Sequence, residues 1–367
     1  MPTFNPLACI RKDVQAMHAY PVQNAQGMIK LDAMENPHRL SQKLQNQLGM
    51  RLGAVALNRY PGQCIHDLQS ALKRHIPLPA GFDLMLGNGS DELISLLATA
   101  CALPPSAANG YQKACVLAPE PGFVMYKVSA QWQGLDYVGI PLKEDFTLDV
   151  PFMLTAMAHH RPTLLFLAYP NNPSANLWDD DSMASVIKAA GEQGTLVVID
   201  EAYQPFASKS YLDRLAHDPH VVLLRTLSKF GLAGVRLGYL VGHQALIAQI
   251  DKVRPPYNVS VLNAEAALFA LEHEDVFRAQ AKDICAQRDL LFEALSQLDR
   301  VQVFQSEANM ILLRVSDAQK TFDNMKARGV LIKNVSKMHP LLTNCLRLTV
   351  GTFDENQNMM AALKESL

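Results

Sequence analysis

Nowhere does this 367-residue chain hold the run of roughly 20 apolar residues that a membrane-spanning helix needs. Its apolar runs, such as TLLFLAY and TLVVI, are far shorter, and the opening MPTFNPLACIRKDV has no long apolar stretch ahead of a cleavage site. Both absences predict a soluble, cytoplasmic protein. Neither sign of charge is in excess: 33 Lys and Arg stand against 35 Asp and Glu, a net −2 at neutral pH. That excludes the basic field which attracts nucleic acid or an anionic membrane surface and leaves small molecules as the expected partners. Cysteine is sparse, and Cys9, Cys64, Cys101, Cys115, Cys285 and Cys345 are scattered without a C-x-x-C pair. Neither a disulfide framework nor a zinc site is therefore expected, and no metal is called for. Internal repeats, low-complexity tracts and long linkers are missing too. So is a complete G-x-G-x-x-G, which counts against a dinucleotide.

What is present suffices for a sizeable core, since 49% of the residues are hydrophobic and 19% charged. From about 84 to 241, short β-rich runs alternate with helix-length segments: ACVLA (114–118), LDYVGI (135–140), TLLFLAY (163–169), TLVVID (195–200), VVLLRT (221–226) and RLGYLV (236–241). Strands apolar on both faces and separated by helices predict an α/β fold, with a mostly parallel sheet covered by helices on both faces. In such sheets ligands bind beyond the carboxyl ends of the strands. After Pro255-Pro256 come two amphipathic helices, about 259–272 and 275–297, then strands VQVFQ, MILLRV, VLIKNV and CLRLTV with a helix near 317–328. That segregated order predicts a smaller α+β domain. We expect a large domain at 46–255 and a small domain from 1–45 and 256–367, the opening segment packing on the latter. The active site would lie at their interface.

Four short motifs, each at a predicted strand end, and one arginine follow in order: N-G-S-D-E (88–92), N-N-P (171–173), D-E-A-Y (200–203), T-L-S-K (226–229) and Arg236. Singly they are weak, and together they are specific. Lys229 emerges after VVLLRT at the ligand-binding edge, where a desolvated lysine near other cations loses its proton and condenses with an aldehyde. An isolated strand-end lysine is more often simply exposed. Asp200 closes an apolar strand, where a carboxylate needs a partner. A pyridinium nitrogen is one, and its protonation makes a cofactor ring an electron sink; a helix N-terminus or a salt bridge is another. Tyr203 and Asn172 are donors suited to a phenolic oxygen on the same ring.

The segment LMLGNGSDELISLLATA reads as strand, turn and helix, with Gly89 in the turn and Ser90 and Asp91 at the helix start. Free N–H groups there seat a phosphate, although a plain capped turn has the same pattern. Thr226, Ser228 and Arg236 cluster around Lys229 and would complete a phosphate cup. Phe123 in E-P-G-F either stacks on a flat ring or starts a helix as a core residue. Tyr20, Tyr60, Asn36 and Lys333 lie outside the large domain's sheet, where surface or packing roles are usual. Arg347 interrupts the apolar strand CLRLTV and needs an anion.

In this order the motifs resemble the fold-type-I, pyridoxal-5′-phosphate-dependent aminotransferases of class I and II, and most closely the histidinol-phosphate aminotransferase group. The likeness runs from A-Y-P (19–21) and L-D-A-M-E-N-P (31–37), through R-Y-P-G (59–62), G-N-G-S-D-E-L-I (87–94), Y-P-N-N-P (169–173), D-E-A-Y and T-L-S-K-F-G-L-A-G-V-R-L-G-Y (226–239), to N-C-L-R-L-T-V-G-T (344–352). The resemblance implies pyridoxal 5′-phosphate as cofactor, Lys229 as its Schiff-base lysine and Asp200 as partner of the pyridine nitrogen. It further implies Asn172 and Tyr203 on the phenolic oxygen, Ser90, Asp91, Thr226, Ser228 and Arg236 around the phosphate, and Phe123 on the ring. Tyr60 would reach the phosphate of a neighbouring subunit, hence a homodimer with shared sites. The implied reaction, a step of histidine biosynthesis, exchanges the amino group of histidinol phosphate with 2-oxoglutarate, or of glutamate with imidazole acetol phosphate in the biosynthetic direction. Arg347 would hold the anion of either substrate, with Tyr20, Asn36 and Lys333 assisting. Lys333 stands where an arginine is frequent in the family, and it offers a point charge in place of a planar fork. An aminotransferase for aromatic amino acids and a threonine-phosphate decarboxylase are the alternatives on the same fold.

Overall fold

The computed structural model describes residues 6–19, 23–102 and 114–367. In chain order the strands are β1 (Ile29–Lys30), β2 (Phe82–Gly87), β3 (Cys115–Glu120), β4 (Asp136–Pro141), β5 (Leu164–Ala168), β6 (Leu196–Asp200), β7 (Val221–Thr226), β8 (Gly238–His243), β9 (Gln302–Val303), β10 (Met310–Arg314), β11 (Val330–Leu331), β12 (Lys333–Asn334) and β13 (Cys345–Thr349). Seven form one sheet in the order β2-β8-β7-β6-β5-β3-β4. β3 to β7 are mutually parallel, whereas β8 is antiparallel to both its neighbours. β2 therefore points the same way as the parallel set, and β8 begins at the edge where the others end.

Helices cover both faces because the strands are apolar on both. Leu165, Leu167, Val197 and Ile199 pack with Leu68, Leu72, Met157 and Val186 on one side. Leu164, Phe166, Val198 and Val222 pack with Leu93, Leu97, Tyr126 and Ile247 on the other. The mostly parallel, doubly covered sheet expected from the sequence is thus observed.

A third core joins Ile284, Leu291 and Leu295 of the Glu274–Ser296 helix to Met310, Ile311, Leu346 and Leu348 of the antiparallel sheet β12-β13-β10-β9. The opening segment is sewn onto it: Leu31 N–H donates to Leu331 O at 2.7 Å, and Thr349 N–H donates to Leu31 O at 3.0 Å. Earlier in the chain, Arg11 instead donates to the Gln131 and Trp132 carbonyls, both at 2.8 Å. No helix among the described residues is long and apolar enough to cross a membrane.

Three expected strands are corrected. RLGYLV starts late, because Arg236 takes a left-handed backbone with φ +53° and β8 begins only at Gly238. VQVFQ shrinks to Gln302–Val303. VLIKNV is two strands, Val330–Leu331 parallel to β1 and Lys333–Asn334 antiparallel to β13. Val330, Leu331 and Ile332 are all buried. Period-two alternation would expose one of three consecutive residues of a one-sided strand, so the chain turns from one partner to another within this run.

At the end of β6 the same alternation separates two neighbours. Asp200 lies on the face of Val198, while Glu201 turns to the opposite face and meets Arg225. Arg225 donates to Glu201 at 2.7 and 2.9 Å, and the Tyr211 N–H and Ser210 hydroxyl complete the carboxylate's shell at 2.6 and 3.0 Å. Glu201 is fully buried. Arg225→Met is expected to lower stability by about 3–5 kcal/mol in denaturant titration, because it strands that charge. The double variant Arg225→Met/Glu201→Gln should recover part of the loss, and equal stability of the single variant and wild type would show the pair to be idle.

Candidate active site

The carboxyl ends of β2, β3, β5, β6 and β7 and the start of β8 converge on one edge of the sheet. They bring Ser90, Asp91, Phe123, Asn172, Asp200, Tyr203, Thr226, Ser228, Lys229 and Arg236 to the wall of one cavity of about 760 Å³. Lys333 and Arg347, from the antiparallel sheet, close its other side. β3 and β5 are neighbours while β4 lies outside them. The chain thus changes winding direction between β3 and β5, and a crevice opens beyond their ends, the usual ligand site of such sheets.

Asp200 is 5% exposed. Its Oδ2 accepts from the Tyr126 hydroxyl at 2.7 Å and its Oδ1 from the Ala202 N–H at 3.0 Å. Burial pushes this carboxyl up to about 6, against the pull of those two donors. Both donors are neutral, so the carboxylate still favours a cation on its cavity side. Asn172 Nδ2 donates to the Tyr203 hydroxyl at 3.1 Å, and Asn172 Oδ1 accepts from Arg347 Nη1 at 2.7 Å.

Lys229 follows β7 in a wide helical turn, and its Nζ donates to Ala33 O at 2.9 Å, 6.0 Å from the centre of the Tyr203 ring. Burial, reinforced by the nearby Arg347 charge, lowers it to about 8. A peptide carbonyl, not a carboxylate, receives its proton, so nothing in that bond holds it strongly cationic.

At the next corner the Ser90–Cys101 helix starts without a side-chain cap on its N-cap Gly89, whose φ is +84°. A Cβ there would lie 2.7 Å from Arg236 Nη2, and one on Gly238 would lie 2.9 Å from Gly89 C and Ser90 N. Glycine at both positions lets the turn, β8 and the arginine close on each other. Arg236 reaches Asp91 at 3.2 Å, and the Thr226 hydroxyl bonds the Ser228 hydroxyl at 3.0 Å. A helix N-terminus, two hydroxyls and a guanidinium form an anion seat.

Lys333 and Arg347 are directly opposed across β12 and β13. Like charges in that register repel. Burial and then the Arg347 charge lower Lys333, so an anion in the cavity would stabilise both. Lys30, Asp32 and Glu35 lie at the same side, Lys30 paired with Asp32 at 3.1 Å and with Glu35.

Not every expected residue arrives. Asn36 lies off the cavity wall and donates to Phe230 O at 3.3 Å and Gln280 Oε1 at 3.0 Å. Half-buried, its amide packs beside Gly231. Tyr60 is 79% exposed and stacks on Tyr257 with ring centres 4.5 Å apart, away from this chain's own cavity. Tyr20 lies outside the described residues. Conversely, Tyr126, Ala33 and Asp32 were not anticipated. Tyr126 had a signal in its spacing, since three residues after Phe123 is the same face of a helix.

A strand-end lysine, a buried carboxylate and an anion seat on a doubly covered parallel sheet define a class. The chain belongs to the aminotransferase class I and II family, whose model matches residues 24–363. It is 63% identical over 358 residues to the histidinol-phosphate aminotransferase of Polaromonas naphthalenivorans (strain CJ2), covering 98% of this chain and 96% of that one. The histidinol-phosphate aminotransferase of Methylibium petroleiphilum is also 63% identical, covering 97% of this chain and 94% of that protein. The crystal structure of the Sinorhizobium meliloti histidinol-phosphate aminotransferase in complex with pyridoxal-5′-phosphate superposes with a TM-score of 0.82 at 24% identity, over 100% of this chain and 98% of that one, which speaks for the fold.

The lowered lysine makes a testable claim about pH. In the cofactor-free protein the rate of capture of a small aldehyde, followed by absorbance after borohydride trapping, should rise as pH passes through about 8. An ordinary lysine would rise only near about 10.4. Lys229→Arg should abolish the phase, and a midpoint above about 10 in the wild type would refute the lowered amine.

Proposed function

We propose that the chain binds pyridoxal 5′-phosphate and exchanges the amino group of histidinol phosphate with 2-oxoglutarate, or that of glutamate with imidazole acetol phosphate in the biosynthetic direction. The observation that carries the reading is the lysine held near 8 in one cavity with a buried carboxylate whose donors are neutral. Near-full-length relatives that bear the corresponding name support the substrate.

The residues present fit the cofactor. The Gly89–Asp91 turn, Thr226, Ser228 and Arg236 would hold its phosphate, with Asp91 steadying the arginine. Phe123 would lie against the ring, Asn172 and Tyr203 would face the phenolic oxygen, and Asp200, held by two neutral donors, would face the ring nitrogen. When bound, the cofactor supplies an aldehyde for amines and a ring that takes up the electron pair of the substrate's broken Cα–H bond. Lys229 Nζ is the base for that proton: lowered to about 8, it can accept near neutral pH and give the proton back. Arg347, with Lys333 beside it, would bind the phosphate of one substrate and the α-carboxylate of the other. The Asn172 and Asp32 contacts of Arg347, at 2.7 and 2.9 Å, aim its guanidinium.

In this reading 46–255 is the cofactor-carrying lobe and 1–45 with 256–367 supply the smaller one, except that Arg11 and the Val261–Glu272 helix pack on the larger lobe. The protein works in the cytoplasm as a homodimer, Tyr60 entering the partner's cavity. The exposed Met50, Leu57, Tyr60 and Tyr257 side chains support that contact.

The direct test is a visible absorption spectrum of the purified protein with added cofactor, followed by glutamate and, separately, histidinol phosphate. Both are expected to convert the bound cofactor to its amine form. Conversion by glutamate alone would mean an aminotransferase for another substrate, and no bound cofactor would overturn the reading. Lys229→Ala should still bind cofactor but lose about 10²–10⁴-fold in turnover. Arg347→Ala should raise KM for both glutamate and histidinol phosphate, by about 10- to 100-fold for one charged contact. Unchanged KM for both would refute a shared anion site.

A further inference from the structure

One side chain on the cavity wall has no assigned part in the reaction, yet it holds the group on which the cofactor's electronics would depend. Tyr126 is 2% exposed, lies parallel to Phe166 with ring centres 4.4 Å apart, and meets Phe123 edge-on at 5.6 Å. These two packing contacts leave its hydroxyl aimed at Asp200 Oδ2, 2.7 Å away. Burial and the Asp200 charge push the Tyr126 phenol well above its ordinary value, so it stays protonated and is always the donor.

Resting on the proposed cofactor, we propose that Tyr126 is a positioning residue that decides where the proton shared by Asp200 and the ring nitrogen resides. A buried carboxylate is a stronger base than one in water, and a pyridine nitrogen is a base of similar strength. Between two such groups the proton goes to whichever is the less compensated. A phenol donating to Oδ2 weakens the carboxylate as a base and so leaves the proton on nitrogen, the state in which the ring withdraws electrons. Asp91, at the head of the Ser90–Cys101 helix, and Glu201, next in the chain, both raise Asp200. Tyr203 and Tyr137 are the titratable groups beyond Tyr126, and Lys229 shares the cavity. The Ala202 N–H on Oδ1 is the one further donor the carboxylate has among the described residues.

The test is carried out on the holoenzyme with cofactor labelled with ¹⁵N in the ring, reading by NMR at neutral pH how the shared proton is divided between the nitrogen and Asp200. Tyr126→Phe keeps the ring that packs on Phe166 and removes only the donor. It is expected to shift the nitrogen-to-carboxylate ratio toward Asp200 by about 10- to 100-fold, the size of one hydrogen bond to a charge, without lowering the pH at which the pair finally loses its proton. Turnover should fall with it, while the melting temperature changes little. Tyr126→His, which restores an N–H donor on an aromatic ring, should recover the proton on nitrogen at least in part. With a cofactor analogue whose ring nitrogen is replaced by carbon, wild type and Tyr126→Phe should turn over at equal rates, a result that a packing role would not produce. An unchanged division of the proton in Tyr126→Phe overturns the inference. If that variant does not fold, a ratio in Tyr126→His shifted toward Asp200 by about the full 10- to 100-fold does so. Wild type that takes up no cofactor sinks the underlying reading as well, whereas wild type with a protonated nitrogen and an indistinguishable Phe variant sinks this inference alone.

Discussion

Asp200 sits almost fully buried at the carboxyl end of β6, where a charged oxygen is tolerated only if donors reach both of its oxygens and a cation faces it. The surroundings are arranged around that requirement. β5 sets Ala168 opposite Asp200 in register and continues into the loop that carries Asn172. β3 leads through Phe123 into the helix that brings Tyr126 onto Oδ2. The remaining need is a positive partner on the cavity side, and in the proposed reading a protonated ring nitrogen would supply it. The same burial that makes the carboxylate costly in the empty protein therefore favours the cofactor that satisfies it.

Two adjacent carboxylates with opposite fates show how the strand divides labour. Asp200 looks into the cavity, while Glu201 looks away and is satisfied by Arg225, Ser210 and Tyr211. On β7 the pairing repeats, with Thr226 at the cavity and Arg225 behind it. A strand end with a polar group on each face is clamped from the back by an ion pair and used from the front. The opposite wall of the cavity is built differently. Lys333 and Arg347 come from a separate antiparallel sheet, and two like charges face each other there at a cost that an incoming anion removes. The segment 31–35 joins the two halves: Ala33 O receives the Lys229 amine, while Leu31 and Met34 are hydrogen-bonded to β13 and β11. Movement of the smaller sheet would therefore be felt at the lysine.

Local chemistry was legible in the residues because each functional group lies at the end of a run whose pattern is strong. The continuous apolar runs before Asp200 and Lys229 predicted buried parallel strands, and in such a sheet all carboxyl ends share an edge, so the motifs had to meet. The order of motifs likewise carried the class of chemistry, since a lysine, a buried carboxylate and a glycine turn at a helix start are each demanded by covalent capture, ring protonation and phosphate binding. Net charge and the scattered cysteines narrow the partners independently of the fold.

What the tertiary structure decided are the contacts between segments far apart in sequence, which no local pattern encodes. Asn36, in a motif that reads as a binding residue, is spent on Phe230 and Gln280 because the chain packs there against the Glu274–Ser296 helix. VLIKNV had the composition of one strand and became two, because Leu331 and Lys333 found different partners. Tyr126 was not anticipated, and only the contact across 74 residues to Asp200 gives its hydroxyl a purpose. The sequence by itself determined the parallel strands of the large sheet, the edge at which they deliver their polar residues and hence the kind of reaction. The fold alone determined which of those residues touch, since hydrogen-bond distance between remote segments depends on how whole layers pack.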